Sequence, residues 1–183
     1  MRMPLADPER SAAAARVATL VSRKRWGVIS ALYGMLLHSP TVAEGWLALG
    51  TVVRRETGFD DRTRELVTCL VAAIVGASFE WENHAVLARR AGVTDEELDA
   101  LPDWRTCARF GPRDRALLAF SEAVARGTMD DATFAVARAT LREEEVVELA
   151  AMVSYYVGTG RFLNALGVEA GASGLTWTPP EQG

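Results

Sequence analysis

The chain has 183 residues, 49% of them apolar, and its 20 basic and 24 acidic side chains leave a net charge of −4. It is long and apolar enough to build a core unaided, which excludes a disordered segment and a disulfide-held miniprotein. The acidic balance also excludes a broad nucleic-acid surface, because phosphate backbones are held by an excess of Lys and Arg.

Apolar residues recur with helical spacing along most of the chain. Asp7-Pro8-Glu9 combines an N-cap, a first-turn proline and an early carboxylate, and predicts a helix to about Arg25 with Val17, Leu20 and Val21 on one face. Trp26 to His38 reads as a second, more apolar segment. Ser39-Pro40 repeats the cap-plus-proline signal, and the helix after it carries Val42, Trp46, Leu49 and Val53 in one stripe before Gly58 ends it. Asp60 or Asp61 caps the next helix, which opens Arg62-Thr63-Arg64-Glu65 and is apolar nearly all round from Leu66 to Ala77, the mark of a central helix. This least charged stretch, Leu66 to Phe79, falls short of the roughly 20 residues a membrane span needs.

Ser78 is positioned to cap a helix from Phe79 to Ala91, with Gly92 in the usual C-terminal place. Thr94-Asp95-Glu96-Glu97 is a capping box opening a short helix, followed by a loop with Trp104 and Cys107. Gly111-Pro112 begins a helix to Arg126, and Asp130-Asp131 begins another from Ala132 to Leu141. Glu143-Glu144-Glu145 fills the first turn of a long last helix through Leu149, Met152 and Tyr156 toward Gly167, where the helix dipole favours negative charge. Within it, Gly158-Thr159-Gly160 lacks the preceding strand and third glycine of a dinucleotide fingerprint and reads as a close-packing site. Nothing alternates with period two for long enough to demand a strand. The expectation is therefore one all-α domain over 1–175, of about seven to nine helices, with a flexible tail over 176–183. With no leader-like N-terminus and no spanning helix, the expected location is the cytoplasm, with no membrane or nucleic-acid partner.

The chemistry-bearing residues are few. Of the two histidines, His38 ends an apolar helix and reads as a helix-end contact. His84 lies four residues after Glu80 on one helix face, bordered by Trp81, and an imidazole beside a carboxylate is an acid–base pair. Glu65 joins them if the two helices form a hairpin hinged near Ala77. It then stands about 12 residues before the hinge and His84 about 7 after it, an axial offset of roughly 7 Å that long side chains or a water span. Cys69 and Cys107 form no C-x-x-C pair, which excludes zinc ribbons and thioredoxin-type motifs. Glu65, Glu80 and His84 lack the Glu-x-x-His and His-x-x-x-His repeats of metal centres, so no metal is expected.

Three blocks carry a family resemblance: Arg62-Thr63-Arg64-Glu65-Leu66-Val67, Phe79-Glu80-Trp81-Glu82-Asn83-His84-Ala85 with Leu87 to Val93, and Tyr155-Tyr156 with Gly160 to Val168. In this order and spacing the chain resembles the carboxymuconolactone decarboxylase family, the group with the alkylhydroperoxidase AhpD-like fold. The resemblance implies an all-α helical bundle that assembles into homo-oligomers, commonly trimers or hexamers. The peroxidase branch of the family carries a C-x-x-C where this chain has Ala77 and Glu80. Without the two thiols disulfide cycling is unavailable, which leaves a thiol-dependent peroxidase the least favoured reading. The decarboxylase branch works without metal or organic cofactor. Its resemblance implies His84 as general acid/base, Glu65 or Glu80 orienting it, Arg62, Arg64 or Arg161 holding an anionic small-molecule substrate, and Trp81, Tyr156 and Asn164 lining the cavity. The expected reaction is a decarboxylation, isomerisation, dehydration or cyclisation, in catabolism or in tailoring a secondary metabolite. The alternative is an oligomeric binding or scaffold protein of the same fold without catalysis.

Overall fold

In the computed structural model, which describes residues 1–24 and 27–177, the chain folds as nine α-helices and one two-stranded ribbon. They are α1 (Ala12–Lys24), β1 (Val28–Ile29), α2 (Ala31–Leu36), α3 (Pro40–Arg55), α4 (Asp61–Val75), α5 (Ser78–Arg90), α6 (Asp95–Ala100), α7 (Pro112–Arg126), α8 (Asp131–Thr140), α9 (Glu143–Ala165) and β2 (Leu175–Thr176). No helix among the described residues is long and apolar enough to cross a membrane.

Helix α4 is the centre of the bundle, flanked by α5, α7 and α9. Its unbroken buried run, Glu65 to Ala72, is apolar apart from Glu65 and Thr68, as such a position requires. Asp60 caps it by accepting the Thr63 amide at 2.7 Å. Gly76, at φ +67°, ends it in the left-handed conformation, so the chain reverses within two residues and α5 returns antiparallel. The Thr94 capping box of α6 and the Asp130 cap of α8 form as the sequence reads.

Other expectations shift. Asp7 caps only a 3-10 turn over Pro8–Arg10, because Ser11 is extended, and α1 starts at Ala12. The helix expected over Trp26 to His38 is replaced by β1 and the short α2, Trp26 itself lying outside the described residues. Gly27 at φ +85° turns the chain, and the β-branched Val28 and Ile29 pair antiparallel with Thr176 and Leu175. Gly174 makes this possible: a Cβ there would stand 2.2 Å from the Ile29 carbonyl oxygen. Thr176, where the flexible tail is expected to begin, is thus paired, while 178–183 lie outside the described residues.

Helix α3 also departs from its expected stripe. It buries Ala43, Leu47, Gly50 and Val53, one position out of register with the Val42, Trp46, Leu49 row, and leaves Val42 and Leu49 nearly half exposed. Gly50 on this inner face lets α9 cross closely: a Cβ there would stand 2.3 Å from the Tyr155 hydroxyl. Gly160 performs the same service against the α4–α5 turn, where a Cβ would lie 2.6 Å from Val75 Cγ2 and 3.0 Å from Ala77 Cβ. Gly158 meets nothing nearer than Trp46 at 3.8 Å. Gly160→Ala should therefore cost about 1–3 kcal/mol by overpacking, whereas Gly158→Ala should be neutral or slightly stabilising. Urea denaturation of the two variants side by side checks the contrast.

Candidate active site

The α4–α5 hairpin brings Glu65 and His84 into direct contact rather than through a bridging water. His84 Nδ1 is 2.6 Å from Glu65 Oε2, with both residues at most 4% exposed. His84 is at hand because α5 buries Glu80, His84 and Ala88, four residues apart, against α4. Burial opposes ionisation of Glu65, but the His84 hydrogen bond and the charges of His84, Arg54 and Arg64 outweigh it and hold its pKa below the ordinary value. An ionised carboxylate only accepts hydrogen bonds, so His84 Nδ1 carries a proton in this pair.

The other ring nitrogen then decides the chemistry. His84 Nε2 stands 3.5 Å from Arg54 Nη1 and 3.5 Å from Glu80 Oε2. A neutral imidazole can accept there from the guanidinium, and an imidazolium can donate to the carboxylate. Each protonation state has a partner, and both contacts are long enough for a ligand atom or a water to intervene. Tyr156 stands edge-on to the imidazole with ring centres 5.1 Å apart, its hydroxyl 3.5 Å from Arg54 Nη1. Burial, only partly offset by Arg54, pushes the Tyr156 phenol up to about 12, so it stays a hydrogen-bond donor. Arg54 is itself pushed up: burial opposes its charge, and Tyr156, Glu65 and Glu80 more than restore it.

These groups open into a cleft of about 450 Å³ whose wall is largely apolar: Leu32, Tyr33, Phe79 and Tyr155, with Val28 of the ribbon. Glu80 and Tyr156 of the expected set line it with His84. The remaining expected residues stand elsewhere. Trp81 packs against the apolar cluster that includes Leu66, Cys69, Leu70 and Leu118 of α7 and does not line the cleft. Arg62 is consumed by Glu97 at 2.5 Å and Asp114 at 3.1 Å. Arg64 pairs with Asp61 and Glu65. Arg161 is exposed and outside the cleft. Asn164 Nδ2 donates to the Val75 carbonyl at 2.9 Å, tying α9 to the end of α4. The cation that faces His84 is Arg54, which the sequence presents only as one of two basic residues in the last turn of α3. Ser30, Asn83 and Thr159 are further cleft residues without a sequence signal of their own. Among the described residues no group of three His, Cys, Asp or Glu side chains has metal-holding geometry. The guanidinium beside Nε2 is a physical obstacle to one here.

Fold and site together define an AhpD-like helical protein whose buried centre is a Glu–His–Arg cluster. Residues 40–123, the segment that holds Arg54, Glu65, Glu80 and His84, match the model of the carboxymuconolactone decarboxylase family. The chain is 25% identical over 119 residues to the uncharacterized protein YdfG of Bacillus subtilis, covering 63% of this chain and 81% of that one. Among solved structures, an uncharacterized peroxidase-related protein with the alkylhydroperoxidase AhpD core from Ralstonia eutropha aligns at TM-score 0.77 and 18% identity, over 92% of this chain and 90% of that one. The debrominase Bmp8, solved alone and, as a single-substitution variant, in complex with 2,3,4-tribromopyrrole, aligns at TM-score 0.76 and 17% identity over 93% and 92%. At these identities the structural likeness establishes the fold.

Proposed function

We propose that the protein is a cofactor-independent acid–base enzyme acting on a small, oxygenated, anionic substrate, of the lyase or isomerase type. The observation that carries this reading is His84: its Nδ1 is fixed by ionised Glu65 while its Nε2 faces a largely apolar cleft between a donor and an acceptor. In a decarboxylation, Arg54 holds the oxygen on which negative charge develops. The carboxylate leaves as carbon dioxide, its bonding pair stays on the substrate carbon, and the Nε2 proton of His84 is delivered to that carbon. In an isomerisation or dehydration the same nitrogen first removes a proton and then returns it. The apolar wall strengthens both interactions by excluding water.

The family match and the debrominase of the same fold support catalysis over a scaffold role, as does the open cleft, since a scaffold has no need of a buried acid–base pair beside an empty volume. A thiol route is opposed by Cys69, which is fully buried with its thiol pushed up to about 12 by burial and by Glu65. The test is turnover on a panel of carboxylated lactones and β-keto acids, followed by carbon dioxide release and proton uptake. Activity absent from His84→Ala supports the reading, and full activity in that variant overturns it.

The partner we propose is a second copy of the chain. Val42, Leu49 and Val52 of α3 and Val147 of α9 are 44–69% exposed, and α3 and α9 enclose an apolar groove between Val42, Trp46, Leu49, Ala151 and Gly158. Apolar rows on two adjacent helices make a continuous patch of the kind that self-association covers. Sedimentation should show an oligomer that Leu49→Arg dissociates, and a monomeric native chain would refute the assembly.

A further inference from the structure

Behind the His84–Glu65 pair lies a second cleft, of about 560 Å³, formed by the end of α3, the turn after it, the start of α4 and the end of α5. Arg54 and Leu87 line both clefts, but the rear one otherwise has a different character. Its cationic lining is Arg54, Arg55, Arg64 and Arg90, against the carboxylates of Asp61 and Glu65, and Phe59, Leu87 and Ala91 supply an apolar floor. Guanidinium groups thus outnumber carboxylates in the lining of this concave volume.

Two groups in it stand out. Asp61 and Glu65 are already engaged by Arg64, and Glu65 also by His84. Arg90, in the last turn of α5, has no carboxylate partner among the described residues, although elsewhere on this surface arginines such as Arg16, Arg89, Arg105 and Arg138 are ion-paired. The Thr57 hydroxyl, in the turn between α3 and α4, is shielded from solvent and has no hydrogen-bond partner. A buried hydroxyl without a partner is costly unless something fills the site, and a hydroxyl sharing a cleft with the Arg90 guanidinium is a donor set suited to an oxyanion.

We infer that the rear cleft is a binding site for a multivalent oxyanion group of a small organic molecule, a phosphate or a polycarboxylate, held by Arg90 and the Thr57 hydroxyl with Arg54, Arg55 and Arg64 around it. Phe59, Leu87 and Ala91 accept the apolar part to which the anion is attached. The site stands independently of the acid–base reading, since its binding groups Arg90 and Thr57 belong to neither the His84 contacts nor the front cleft.

The experiment is titration of the full-length protein with inorganic pyrophosphate and, separately, with citrate, followed by calorimetry and by amide shifts of residues 55–64 and 87–91. Saturable binding of either probe supports the site, and the tighter of the two assigns phosphate or carboxylate. Arg90→Gln should weaken binding about ten-fold and Thr57→Val about three- to ten-fold. Arg23→Gln, which removes an exposed charge from α1, should leave binding unchanged. His84→Ala should bind the probe as the native protein does, which separates this site from the proposed activity. Absence of saturable binding for both probes, or an equal loss in Arg23→Gln and Arg90→Gln, would overturn the inference.

Discussion

His84→Ala should lower turnover by roughly 10²- to 10⁴-fold, the range supplied by one positioned acid–base group, while far-ultraviolet circular dichroism stays helical. Glu65→Gln should lose nearly as much, for a different reason. The amide keeps an oxygen for Nδ1–H but no longer stabilises the imidazolium, so His84 stays oriented and loses the charge that supports its protonated form. The two variants should be far from additive, since each disables the same pair. Their pH behaviour differs in a checkable way. The Glu65 carboxyl is held below its ordinary pKa in the folded chain, so its contribution to stability is fully present above that ordinary value and is lost as the pH falls through the depressed one. Denaturation midpoints across the acid range should therefore fall less steeply for Glu65→Gln than for the native protein. An unchanged acid limb would show that the Glu65–His84 contact contributes nothing to folding.

Arg54→Met is expected to have the second largest effect. It takes away the guanidinium that faces His84 Nε2, and with it the arginine that lines the His84 cleft. Loss of one member of a buried, hydrogen-bonded charge set commonly costs about 2–5 kcal/mol of binding, so KM for an anionic substrate should rise by roughly 30-fold or more. The phenol of Tyr156, whose pKa Arg54 holds down, should move further up, and that of Glu65 should move up as well. Arg54→Lys should recover part of KM, because it restores the charge without the planar fork. If Arg54→Met instead lowered only the turnover number, Arg54 would act at the transition state alone.

The pairing of Glu65 with His84 is legible in the sequence because it depends on one hairpin, and a hairpin is arithmetic: a turn position, a rise per residue and two side-chain lengths. The axial offset is a poor guide to the final distance, which is direct contact at 2.6 Å, since a glutamate and an imidazole together span it. Arg54 is illegible for the opposite reason. It arrives from a third helix, and in sequence it is indistinguishable from Arg55, both being cations that favour a helix C-terminus. Trp81 misleads because three residues back along α5 is enough to carry a side chain out of the cleft and against the Leu66, Cys69 and Leu70 cluster. Arg62 misleads because its carboxylate partners, Glu97 and Asp114, come from helices that sequence spacing does not connect to it. The β1–β2 ribbon escapes notice because two residues are too few for alternation to register.

Arg54 also has a consequence that belongs to thermodynamics rather than to geometry. A single guanidinium lining two volumes cannot be drawn toward an occupant of one without changing what it offers the other. By linkage, any factor by which a rear occupant alters affinity at the front must equal the factor by which a front occupant alters affinity at the rear. A pair of titrations, each repeated with the opposite volume saturated, would measure that one coupling constant twice.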